Sequence, residues 1–187
     1  MHIDAVLTQE DLVALVAQLT PVRIRLGDDG DLLIHEASEV TLVPGIGLRI
    51  VCSAKLHWPV LGVSLPVTLR SLTLLLTPMI APRPKGNALV FKLHVEHADF
   101  AGIPTIVDER VTDRVNKALA EDRAELVWDF AKTLSHAFAL PSLLEPLDSL
   151  GLTVALGEVR VTAAAMILAV SFHANVTRHA EPQALSA

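Results

Sequence analysis

The sequence predicts an α+β fold in which a long, strongly curved antiparallel sheet wraps around an amphipathic helical region. Three observations predict it. From Val22 to Val95, and again from Glu158 to Val176, apolar and polar residues alternate with the period of a strand. Between Ile103 and Phe138 the apolar residues recur at every fourth position instead. One long strand changes its apolar phase midway, which is how a β-bulge bends a sheet.

The elements follow in order. Thr8, with Asp11 three residues on, resembles a capping box, and Leu12, Leu15, Val16 and Leu19 form one apolar stripe, so a short helix runs to Pro21. Val22, Ile24 and Leu26 alternate with Arg23 and Arg25, and the acidic, glycine-containing stretch before Leu32 and Ile34 supplies turn chemistry for a hairpin. Ile46, Leu48, Ile50, Cys52, Ala54, Leu56 and Trp58 then hold one phase, giving a strand with one dry and one wet face. Val63, Leu65, Val67 and Leu69 share a phase, but beyond Arg70 and Ser71 the apolar set moves to Leu72, Leu74 and Leu76. Pro66 cannot donate to a ladder, which places its strand at an edge or an irregularity.

Residues 78–87 read as a loop, and Leu89, Phe91, Leu93 and Val95 as the dry face of the next strand. Ile103, Val107, Val111, Val115 and Leu119 form the first helical stripe. Leu126, Phe130, Leu134 and Phe138 form a second, running on to Pro141 as two helices or one broken helix. Glu158 to Val161 and Met166 to Val176 close the chain as strands. Residues 1–177 are expected to form a single domain, and residues 178–187, small and polar, a flexible tail.

Composition narrows the function classes. With 51% hydrophobic and only 19% charged residues the chain is not intrinsically disordered, and a net charge of −6 argues against nucleic acid as a partner. The longest run without an acid or base, Val161 to Thr177, is shorter and more polar than a membrane-spanning helix. The first residues lack the basic and apolar regions of a secretory signal, so a cytoplasmic location is expected, or a periplasmic one for a chain trimmed of its leader. Between Val40 and Val95 there are six bases and no acid, whereas Glu96 to Glu158 carries twelve acids against five bases. In the basic part, Met79 and Ile80 beside Arg83 and Lys85 make a candidate membrane-contact tip for transient docking on an anionic bilayer.

Nothing in the sequence spells out a reaction. On a strand, His94 and Glu96 share a face while His97 points to the other, so no metal site is expected there. The Gly62-Val63-Ser64 stretch lacks the second glycine of a nucleophile elbow, and Gly45-Ile46-Gly47 lacks the rest of a dinucleotide loop. Asp108, Glu109 and Asp113 are interleaved with Arg110 and Arg114, as on a solvated helix face. Cys52 falls in the apolar phase of its strand, where an inert, buried thiol is expected. Neither a catalytic residue nor a cofactor is expected.

Short helix, long curved antiparallel strands, amphipathic helical region and closing hairpin, with the final segment from Leu152 to Phe172, together resemble the tubular lipid-binding (TULIP) superfamily. The resemblance implies a highly curved sheet around a long helix, with lipids or other apolar molecules held in the groove between them. Elementary physics points the same way. A sheet with one aliphatic face and helices with aliphatic stripes must bury those faces against each other or around a guest. A lining poor in aromatic and polar groups suits an acyl chain or an isoprenoid.

The candidate ligand-binding residues are Leu48, Ile50, Leu56, Val63 and Leu65 from the first long strands, and Phe91, Leu93 and Val95 from the next. Met166, Leu168, Val170 and Phe172 join them from the closing strand, with Phe130 and Leu134 from the helical side. The function expected is non-enzymatic binding or transport of a lipid or other hydrophobic small molecule, selected by volume and length. The alternative is a protein–protein interaction or assembly module with a solid core, a homodimer included, docking through the edge near Pro66 or an apolar helix face. A third reading, a helix-grip-like enzyme with His94 or His57 as base, needs an inward polar group, and the strand phasing points both histidines outward.

Overall fold

The computed structural model describes residues 1–25, 30–60, 63–84, 86–101, 105–121 and 125–178; the side chains of 58–60, 63–65, 105–108, 121 and 125 stand outside that description. Strand β1 (His2–Thr8) leads directly into helix α1 (Gln9–Leu19). The Thr8 hydroxyl accepts from the Asp11 N–H and the Asp11 carboxylate accepts from the Thr8 N–H at 2.9 Å, so aspartate completes the capping box. The Thr8 hydroxyl, which also donates to the Asp11 carboxylate at 2.7 Å, and the Thr8 N–H together hold that carboxyl below its ordinary pKa.

Four strands follow: β2 (Val22–Arg25), β3 (Asp31–Val43), β4 (Gly47–Val60) and β5 (Val63–Arg83). After β6 (Gly86–Phe100) come helix α2 (Thr105–Glu121) and strand β7 (Glu125–Trp128). The strands from β2 to β7 pair antiparallel in sequence order as one six-stranded meander. Helix α3 (Phe130–Leu134), β8 (His136–Ala139), a 3₁₀ turn over Ser142–Leu144, β9 (Leu147–Val161) and β10 (Ala165–Arg178) complete the chain. A second sheet runs β1-β10-β9-β8. The fold is therefore α+β, with curled antiparallel sheets and a few helices, as the alternation predicts. The aliphatic faces divide between two sheets, however, where the sequence reading foresaw one.

The phase slip at Arg70 and Ser71 is a real bulge. Leu69 pairs with Ala54 and Phe100, and the next partners are Leu72 with Cys52 and Ser71 with Asp99, so Arg70 is the extra residue on both sides of its strand. Adjacent strands carry their own irregularities at neighbouring levels, around His35 and Ser38 on β3 and Glu96 on β6. Extra residues lined up across a sheet bend it along one line. Pro66 pairs with His57 of β4, while pairing of β5 with β6 begins only at Leu69, so among the described residues the proline meets no strand on its other side.

Five expectations need correction. The first element is a strand: β1 pairs with β10, from His2 opposite Ser171 to Thr8 opposite Ala165. Residues 78–83 and 86–87 are no loop but the paired ends of two strands, with Pro78 opposite Phe91 and Pro82 opposite Asn87. Pro78 and Pro82 have the same parity, so both lose a donor on one edge, and beyond Leu76 no β4 residue pairs with β5. Ile80 consequently packs toward a core cluster, and neither it nor Met79 stands at a tip; Arg83 is exposed near the turn and Lys85 lies outside the described residues. The second helical stripe is helical only in its middle, where Phe130 and Leu134 bound the five-residue α3, while Leu126 lies in β7 and Phe138 in β8. Arg178 belongs to β10, opposite Leu147, and the remainder of the expected tail lies outside the described residues.

The core sits on the inner face of the six-stranded sheet. Helix α2 buries Val115, Ala118 and Leu119 over Leu56, Leu72, Val95 and Phe100, while α1 buries Leu12 and Val16 in the same cluster. A second cluster forms where α3 packs against β6 and β9: Phe130 is wholly buried among Leu89, Leu168, Val170 and Phe172. Its ring lies over Gly157 of β9, where any Cβ would collide with it.

Asn116 of α2 seals the edge of β6. Its Oδ1 accepts from the Val95 N–H at 2.7 Å and its Nδ2 donates to the Val95 carbonyl at 2.9 Å, so one carboxamide replaces a missing strand beyond β7. Asn116→Ala leaves both groups half-buried without those partners. It is expected to lower the unfolding free energy by about 1–3 kcal/mol in a denaturant titration, against a few tenths for an exposed site.

Candidate hydrophobic groove

The inner face of the sheet is covered unevenly. Helix α2 lies over the rows containing Leu56, Leu69 and Leu72. Its coverage stops before Leu48, Ile50, Leu74, Leu76 and Leu93, and here two adjoining chambers of about 310 and 400 Å³ open. Both are walled by Val16, Leu19, Leu76 and Leu126, so they form one groove.

The first chamber runs from Leu74 and Ile50 toward Ile34 and the edge strand β2, where Val22, Arg23, Ile24 and Arg25 form its wall. The second runs between α1, through Leu12 and Leu15, and the strands carrying Leu48, Leu89, Phe91, Met166 and Leu168. Leu15, Leu19, Leu126 and Trp128 are 43%, 57%, 48% and 41% exposed, so they line the groove and its open rim at once. Among the described residues, apart from the two arginines and the Trp128 indole, every lining side chain is aliphatic, methionine or phenylalanine.

Of the residues the sequence singled out, Leu48, Ile50, Phe91, Leu93, Met166 and Leu168 meet in this groove. Leu56 and Val95 are buried under α2, around a void of only about 10 Å³. Phe130, Val170 and Phe172 fill the second cluster instead of lining space, and Leu134 lies at the surface, 36% exposed. The side chains of Val63 and Leu65 lie outside the described residues. The wall contributed by α1 was missed as a wall, although its stripe was legible. Leu126 and Trp128 were hidden by the helical reading of their segment.

The outer face holds the charges. Arg49 of β4 reaches across β5 to Glu96, with Nε 2.6 Å from one carboxylate oxygen and Nη2 2.9 Å from the other. That two-pronged bond holds the Glu96 carboxyl below its ordinary pKa and raises that of Arg49. His57 Nδ1 and Arg23 Nε both approach Asp31 Oδ1, at 2.9 and 3.3 Å. His94 is exposed and His57 lines neither chamber. Among the described residues no three His, Cys, Asp or Glu side chains converge as metal ligands. No described helix is long and apolar enough to cross a membrane.

Fold and groove together define a curled-sheet α+β protein with an aliphatic cleft. No family model matches the chain, and no curated relative matches it. Among solved structures the chain is similar to a lipopolysaccharide binding protein at 16% identity and a TM-score of 0.27, covering 98% of this chain and 52% of that one. It thus spans about half the length of that protein, and a likeness so slight carries no argument about function.

Two measurements check the electrostatics. Burial pushes the Cys52 thiol up to about 11. A thiol reagent at pH 8 is therefore expected to label native protein far more slowly than denatured protein; rapid labelling of the native state contradicts the burial. For Glu96 the folded pKa lies below the unfolded one. The pair contributes stability above the unfolded value, and that contribution is lost as pH falls through the folded value. Arg49 is well exposed, so Glu96→Gln is expected to cost no more than about 1 kcal/mol near neutral pH, with the deficit vanishing in acid.

Proposed function

We propose that this protein is a non-enzymatic binder or carrier of a lipid or similar hydrophobic molecule, which lies along the groove beneath α1. The observation that carries this reading is the uncovered part of the inner sheet face, walled by Leu48, Ile50, Leu74 and Leu76 on one side and by α1 on the other. On the scale measured for core cavities, roughly 24 cal/mol per Å³, a closed void of about 400 Å³ costs on the order of 10 kcal/mol. That rivals the whole net stability of a domain. The groove opens to solvent, so the figure is an upper bound, but its sign favours a guest. Among the described residues no acid or base suited to proton transfer lines either chamber, which favours a carrier over a catalyst.

A homologous series of straight-chain alcohols tests it. Each methylene taken out of water contributes about 0.8 kcal/mol, close to a fourfold gain in affinity. Affinity, read by displacement of an environment-sensitive dye, is expected to climb by that factor per carbon and then level off when the groove is full. Leu19 walls both chambers yet is 57% exposed, so Leu19→Glu is expected to weaken binding at least about tenfold while shifting stability by only about 0.5 kcal/mol. Affinity independent of chain length, or unchanged in that variant, contradicts the proposal.

A further inference from the structure

We infer that the groove takes an anionic amphiphile, whose carboxylate or phosphate headgroup is held by Arg23 and Arg25 at the edge strand β2. The inference rests on the carrier reading and adds to it the chemical class of the guest. Among the described residues Arg23 and Arg25 are the only charged side chains lining the two chambers, and no described Asp or Glu lines either. Charge among the described residues therefore gathers at one end of an otherwise apolar channel, which is the charge pattern of an amphiphile in negative.

The local structure explains why the cations sit there. Because β2 is the outermost strand of its sheet, residues of both its faces reach the chamber wall. Val22 and Ile24 are half-buried against the core, while Arg23 and Arg25 are exposed. Asp31 stands opposite Arg25 in the ladder, yet its carboxylate is engaged by Arg23 at 3.3 Å and His57 at 2.9 Å. Among the described residues Arg25 has no carboxylate partner. A guanidinium carries five donors in a planar fork that fits a carboxylate or phosphate with two parallel hydrogen bonds. At an exposed rim the headgroup keeps part of its hydration, so seating it avoids the desolvation penalty of a buried ion pair.

The test compares dodecanoate with dodecanol at pH 8 on the full chain, with acetate and inorganic phosphate as tail-free anions. Wild-type protein is expected to bind dodecanoate about fivefold tighter than dodecanol, the upper end for an exposed ion pair, and the preference shrinks as salt rises. Arg25→Gln removes most of that preference by weakening dodecanoate binding, and an unchanged denaturant midpoint shows that the variant is folded. Arg25→Lys retains the preference, and Arg23→Gln, whose side chain is already engaged by Asp31, reduces it less. Equal affinities for the acid and the alcohol, or a preference that survives in the Arg23→Gln/Arg25→Gln double variant, overturn the headgroup site while leaving the carrier reading standing. Tail-free anions that compete as well as dodecanoate overturn it in favour of a free-anion site. Failure of both dodecanoate and dodecanol to bind overturns the carrier reading itself.

Discussion

The inner face of the six-stranded sheet presents more aliphatic surface than the helices can cover. Bulges around His35, Ser38, Arg70 and Glu96 bend that sheet so that its dry face becomes concave. Helix α2 fills one end of the concavity with Val115, Ala118 and Leu119, and the remaining void there is negligible. At the other end α1 inserts only Leu12 and Val16, and the groove occupies the space left over. Strand β1, the closing strands and β7 are all placed by the same constraint, since each brings apolar residues to a wall that would otherwise face water.

Much of the sheet was legible because a period of two has no helical counterpart over a long run. The alternation from Leu48 to Leu56 became β4, and the slip at Arg70 became a bulge. Strand β1 was not legible, because it is short and its partner β10 lies at the far end of the chain. The misread stripe from Leu126 to Phe138 has a physical cause. A spacing of four is one helical turn and also two strand repeats, so those four residues could not distinguish the alternatives. Prolines at 78, 82 and 84 argued for a loop, and a hairpin accepts Pro78 and Pro82 only because one edge of its strand goes unpaired there.

The candidate site was legible in chemistry more than in place. Which residues are apolar is written in the sequence; which of them end against a neighbour and which against space depends on where α1 and α2 dock. Leu56, Val95 and Phe130 looked as suitable for a lining as Leu48 or Leu93, and they fill the core because α2 lies over the first two and the Phe130 ring seats against Gly157. The arginines of β2 were read only as the residues that alternate with Val22, Ile24 and Leu26 in a hairpin strand. Only the edge position of that strand brings them to the mouth of the groove.

The claim that matters most is that the groove holds a hydrophobic guest. Native mass spectrometry of the gently purified chain measures this directly. The predicted spectrum shows the 20.1 kDa protein carrying a lipid-sized adduct that organic extraction removes and identifies. A spectrum of bare protein alone, from cells and from lipid-supplemented buffer alike, would contradict it.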